Sequence, residues 1–151
     1  MRTMPECTFC QIVQGQAEAC RVFEDEHSVA FLDRRPLFPG HLLLVPRRHH
    51  QVLADLPSEL LQPLFSTAQL LCRAVERAMQ AQGTFVALNN KISQSVPHLH
   101  IHVVPRNKKD GLRGFFWPRN PYRDEEHMRS TADRLREAID RLSGAGNKRD
   151  G

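Results

Sequence analysis

The chain has 151 residues, 40% of them hydrophobic and 25% charged, which suits one domain with a real core and excludes a disordered or fibrous protein. No stretch is long and apolar enough to cross a bilayer and MRTMPECTFC has no signal-peptide core, so a cytoplasmic protein without a membrane partner is expected. The net charge of +4 favours anionic ligands such as phosphates but is too small to argue for nucleic acid, and the four cysteines are expected to stay reduced.

Residues 1–20 read as a loop or small knuckle around Cys7 and Cys10. VFEDEHSVAFLD (22–33) reads as two short strands joined by a turn, the stronger running from Val29 to Leu32. RRPLFPGH, with Pro36, Pro39 and Gly40, breaks both helix and strand. HLLLVP (41–46) is a continuous apolar run of strand length, stopped by Pro46. Residues 56–82 make the clearest helix. Ser58 can cap it, Leu60, Leu64, Leu71, Val75 and Met79 lie on or near one face, Pro63 blurs its start and Gly83 stops it. TFVALN (84–89) is a strand, NNKISQS a polar turn, and 98–104 the next strand. Residues 107–122 form a basic, glycine-containing loop that also carries Phe115, Phe116, Trp117 and Tyr122. Asp124 can cap a last helix whose apolar positions, Met128, Ala132, Leu135, Ile139 and Leu142, need a partner surface. Residues 143–151 read as a flexible tail. The order strands, helix, strands, helix gives an α+β fold with a mostly antiparallel sheet.

SVPHLHIHVVPR carries three of the eight histidines, each separated by one aliphatic residue. On a strand, His98, His100 and His102 share one face, and Leu99, Ile101 and Val103 share the other, where they anchor the strand to the core. One use of such a comb is metal binding. The outer pair lies roughly 13 Å apart at about 3.3 Å per residue, so with zinc–nitrogen bonds of about 2.0–2.1 Å two of the three can share an ion, with help from elsewhere. The other use is nucleophilic catalysis. Neutral imidazole attacks phosphorus or carbonyl centres, neighbouring imidazoles resist a second charge, and flanking histidines can contact phosphoryl oxygens or move protons. A polar strand face with fortuitous histidines is the plain alternative.

HLHIHVV matches the histidine triad motif, His-x-His-x-His followed by two apolar residues. With CTFCQIVQGQ, VAFLDRRPLFPGHLLLVPRRH and ISQSVPHLHIHVVPR, the chain resembles the histidine triad (HIT) family over about residues 7–106, in particular its nucleotide-binding branch of bacterial type. The resemblance implies a single domain over 1–142, with a five-stranded antiparallel sheet, a long helix and a C-terminal helix, usually as a homodimer. It implies hydrolysis at the α-phosphate of a nucleotide through a nucleotidyl-histidine intermediate. His100 would be the nucleophile, with His98 and His102 completing the catalytic set and His102 contacting the phosphate. Gln94 and Ser95 would flank the α-phosphate or leaving group, Asp33 would hold the ribose hydroxyls, and His41 and Asn89 would line the nucleoside pocket. His102 stands where the nucleotidyl-transferase branch carries Gln, which favours hydrolysis. Ser93 departs from the Gly common before Gln94 and puts the leaving-group preference in question.

CTFC alone is two cysteines in need of two more ligands. The resemblance supplies them as His49 and His98, completing with Cys7 and Cys10 a structural zinc site, with His50 the alternative to His49. Cys72 reads as a core residue, Cys20 has no partner at useful spacing, and His27 and His127 read as surface residues. The leading function is a hydrolase of dinucleoside polyphosphates or adenosine phosphoramidates. The alternatives are a nucleotide-binding regulatory module, a phosphorylase, or a protein that removes adenylate from DNA ends, although a nucleic-acid partner is not expected. The basic aromatic loop can contact phosphate and stack on a base, or simply pin itself to the core or a dimer contact.

Overall fold

The computed structural model describes residues 7–113 and 119–147. Contacts divide the chain into two units, Met1–Asp110 and Gly111–Gly151. The first is built on five strands: β1 (Arg21–Glu24), β2 (Ser28–Leu32), β3 (Leu42–Pro46), β4 (Gly83–Ala87) and β5 (Ile101–Arg106). They form one sheet in the order β1-β2-β3-β5-β4, antiparallel at every pairing, as the sequence led us to expect.

Both faces of the central strands are covered. Ala30, Leu42, Leu44, Leu99, Ile101 and Val103 pack with Leu64, Ala68, Leu71 and Val75 of α2 (Ser58–Met79). Val29, Phe31, Leu43 and Val45 pack on the other side with Phe9 and Ile12 of α1 (Thr8–Val13) and with Cys7 and Cys10. Double coverage explains why VAFL and LLLV read as unbroken apolar runs rather than alternating ones. The β1–β2 turn is closed by Asp25, whose Oδ1 accepts from the His27 and Ser28 amides at 2.8 Å each.

Several boundaries differ from expectation. The knuckle at Cys7 contains a short helix, α1, started by the Cys7 sulfur accepting from the Cys10 amide at 3.5 Å. Ser58 does not cap α2. Pro57 occupies the N-cap without a side-chain bond, and Ser58 is already helical. The helix stops at Gln80, in the left-handed region at φ 51°, and Gly83 opens β4 instead. The strand expected over 98–104 begins only at Ile101. Its ladder with β3 ends at the Leu44–Ile101 pair, so residues 98–100 lie outside it, and the Leu99 amide donates to the His50 carbonyl at 2.7 Å.

The second unit holds α3 (Glu125–Asn147), which runs past residue 142, where the tail was expected to follow. Asp124 caps it as expected, its Oδ1 accepting from the His127 amide at 2.7 Å. Met128, Leu135, Ile139 and Leu142 are exposed. Phe115, Phe116 and Trp117 of the basic loop lie outside the described residues. Among the described residues, no helix is long and apolar enough to cross a membrane.

Gly40 ends the turn before β3 at φ +97°, and a Cβ there would stand 2.6 Å from Met79 Cγ. Gly40→Ala is expected to destabilise the protein by about 1–3 kcal/mol through the backbone conformation. Thermal unfolding should show Met79→Ala relieving only part of that loss, because the methionine can move and the φ angle cannot.

Candidate active site and metal centre

The comb lies on the α1 face of the sheet, and its aliphatic teeth point into the α2 core, as the alternation predicts. His98 is fully buried, His100 is 4% exposed and His102 half-buried. Ring centroids of His100 and His102 are 5.0 Å apart, and those of His102 and His41 5.1 Å.

The hydrogen bonds assign each ring a tautomer. His100 Nδ1 lies 2.7 Å from the His98 carbonyl, which can only accept, so Nδ1 carries a proton and, in the neutral ring, Nε2 keeps its lone pair. His98 Nε2 lies 2.9 Å from the Pro46 carbonyl, so Nε2 carries the proton and Nδ1 is bare. The Leu37 amide donates to His41 Nδ1 at 3.0 Å, which puts the His41 proton on Nε2. That proton is donated to His102 Nδ1 at 2.9 Å, leaving His102 with Nε2–H as a free donor. Asp33 Oδ2 stands 3.7 Å from His41 Nε2, while its Oδ1 accepts from the Arg35 amide at 2.9 Å.

Burial lowers the pKa of His102 to about 4, helped by the neighbouring His100 and His41 rings and opposed by Asp33. Burial also lowers His41, again opposed by Asp33. Both rings are therefore neutral at pH 7, as the tautomer chain requires.

Among the described residues, two groups of side chains bring possible metal ligands within 4.8 Å of one another: Cys7, Cys10, His49 and His98, and Asp33, His41 and His102. The first fits a metal. The Cys7 and Cys10 sulfurs lie 3.5 and 3.6 Å from His98 Nδ1, and His49 Nδ1 lies 3.3 Å from the Cys10 sulfur. The Pro46 carbonyl leaves the inward-facing nitrogen of His98 bare, as a ligand must be. Two thiols and two imidazoles are a closed tetrahedral set of the zinc type. The second group does not fit as well. The Leu37 amide claims the only bare nitrogen of His41 and leaves a proton between His41 and His102, where a metal would have to sit. His50 is outside the cluster: its Nε2 is buried without a hydrogen-bond partner, so the choice left open by the sequence falls to His49.

In the loop 89–95, two of the side chains expected beside the nucleotide bond to backbone groups. Gln94 Nε2 donates to the Gln51 carbonyl at 2.6 Å, and its Oε1 accepts from the Lys91 amide at 2.9 Å. Asn89 is exposed and donates to the Ser93 carbonyl at 3.2 Å. Both side chains shape the loop, and Ser95 is exposed. Ser93 adopts φ 58°, the conformation that a glycine at this position would take without strain. Sequence reasoning missed Phe9, whose ring is 5.0 Å from His100. Its place between two cysteines was the available signal.

The HIT domain model matches residues 14–109. The chain belongs to the HIT family. It is 37% identical over 138 residues to a HIT-like protein of Mycobacterium tuberculosis (strain CDC 1551 / Oshkosh), covering 88% of this chain and 92% of that one. It is 36% identical over 109 residues to the adenosine 5'-monophosphoramidase of Saccharomyces cerevisiae, covering 70% and 66%. Among solved structures it resembles SMU.412c of Streptococcus mutans, with TM-score 0.81, 31% identity, and 90% and 87% coverage. It also resembles a zinc-bound histidine triad family protein of Mycobacterium smegmatis, with TM-score 0.68, 36% identity, and 88% and 97% coverage.

Two outcomes are expected from this geometry. In a zinc titration of the metal-free protein, His49→Ala should weaken binding at least about tenfold and His50→Ala should leave it near wild type. The folded pKa values of His102 and His41 lie below the unfolded value of about 6.5, so their contribution to stability is complete above that pH and is lost as pH falls toward 4. Thermal unfolding followed from pH 7 to 4 should show this loss, with a shallower slope in His102→Asn.

Proposed function

We propose that this HIT protein is a nucleotide hydrolase acting at the α-phosphate of nucleoside phosphoanhydrides or phosphoramidates. The observation that carries the reading is the bare Nε2 of His100, fixed by the bond from Nδ1–H to the His98 carbonyl. Family membership and the relationship to a phosphoramidase support nucleotide hydrolysis in general. In the proposed reaction His100 Nε2 attacks the α-phosphorus and the bond to the leaving group breaks, giving a nucleotidyl-histidine. Water then attacks the same phosphorus, the phosphorus–nitrogen bond breaks, and the nucleoside monophosphate is released. His102 Nε2–H would donate to a phosphoryl oxygen as charge builds there, with His41 holding it in that tautomer. Asp33 would accept the ribose hydroxyls, and Ser95 would lie beside the phosphate.

The same proposal assigns zinc to Cys7, Cys10, His49 and His98 as a structural ion, supported by the donor set and by the zinc-bound relative. It retains the homodimer implied by the resemblance. β4 ends the sheet with Val86 exposed, an edge to which a second copy can add.

Intact-protein mass spectrometry after brief mixing with adenosine phosphoramidate or diadenosine tetraphosphate tests the reaction. The wild type should gain and then lose one adenylate mass. His100→Gly should gain none, and its turnover should fall by on the order of a thousandfold or more. Nucleotide binding with neither adduct nor turnover in the wild type would instead make the protein a binding module.

A further inference from the structure

We propose that the metal-binding knuckle positions the nucleophile, and that Phe9 is the positioning residue through which it does so. The inference rests on reading His100 as the nucleophile. Phe9 lies inside the short segment between Cys7 and Cys10 and is 6% exposed. Its ring meets the His100 ring edge to face, with centroids 5.0 Å apart and planes at 84°. Phe31 of β2 backs it at 5.4 Å and 66°, so it cannot retreat into the sheet. His98 touches it at 6.0 Å and 73°.

A single hydrogen bond does not fix an imidazole. The bond from Nδ1–H to the His98 carbonyl holds one corner of the His100 ring, and the opposite corner carries the reacting lone pair. Phe9 and His102, each with its centroid 5.0 Å away, supply the remaining restraint. An error of about 1 Å in a reacting atom can cost about a hundredfold in rate, so this restraint bears on chemistry more than on binding.

The cluster ties both restraints together. α1 has six residues, too few to be stable alone, and among its anchors are the two thiols that flank Phe9. A metal held by Cys7, Cys10, His49 and His98 would clamp that segment to the residues after β3 and to the comb itself. His98 then has two duties: its Nδ1 faces the cluster and its carbonyl holds His100. Losing the metal would loosen Phe9 and the carbonyl anchor at once.

The test compares zinc-loaded wild type, zinc-loaded Phe9→Leu and Phe9→Met, and chelator-stripped wild type, each checked for folding. Four quantities are read at one fixed pH: bound zinc, affinity for AMP, the single-turnover rate of adenylate transfer from adenosine phosphoramidate to the protein, and the His100 ring signals in 1H–13C spectra of histidine-labelled protein. The Phe9 variants should keep one zinc per chain and bind AMP within about threefold of wild type. Their adenylate transfer should slow by about ten- to a hundredfold, and the sharp His100 signals should broaden or split. Stripped wild type should show the same slowing and broadening. Transfer at the wild-type rate with unchanged His100 signals would overturn the proposal, as would a loss of AMP affinity large enough to account for the slower rate. Were the wild type to form no adduct, the hydrolase reading would fail, and the His100 signals alone would decide whether Phe9 and the metal hold that ring.

Discussion

The 2.7 Å bond from His100 Nδ1–H to the carbonyl of His98 determines which nitrogen of the central imidazole is left open. It exists because residues 98–100 have left the β3–β5 ladder, where the His98 carbonyl would otherwise be committed to a neighbouring strand. Two further carbonyl and amide contacts complete the set. Pro46 turns the bare nitrogen of His98 toward the cysteines, and the Leu37 amide, acting through His41, turns the N–H of His102 outward. Three chemically identical side chains thus present three different faces, set by two carbonyls and by an amide relayed through His41: a bare nitrogen toward the cysteines at His98, Nε2 left open at His100 and an outward N–H at His102.

These orientations are possible only on a rigid support. Leu99, Ile101 and Val103 are fully buried beneath the comb, against α2, and they fix the opposite face of the same strand. Burial of His41 and partial burial of His102 keep both neutral, so the chain of hydrogen bonds from Leu37 to His102 carries no charge at pH 7. Acid works against this pair, because protonating either ring breaks the hydrogen-bond chain that orients His102.

Much of this was legible in the sequence. Alternation in HLHIHVV placed histidines and aliphatics on opposite faces, and the continuous runs VAFL and LLLV marked two strands, although their cover on both sides emerged only from the packing. Other features depended on contacts that no local pattern encodes. His49 and His50 are neighbours of one residue type, and only the direction of the chain after β3 puts the first beside the cysteines and leaves the second outside their cluster. The bond from Gln94 to the carbonyl of Gln51, which is distant in sequence, is another such contact. The short helix at Cys7 has too few residues to show a periodicity, and its cap is a sulfur rather than a familiar Ser, Thr, Asp or Asn.

The division of labour among the three rings can be read directly from a long-range 1H–15N spectrum of histidine-labelled, zinc-loaded protein at neutral pH. The account predicts His100 protonated on Nδ1 with a bare Nε2, His102 protonated on Nε2, and His98 protonated on Nε2 with Nδ1 shifted by the metal. A His100 ring protonated on Nε2 would contradict it, because the nitrogen assigned to attack phosphorus would then have no lone pair to offer.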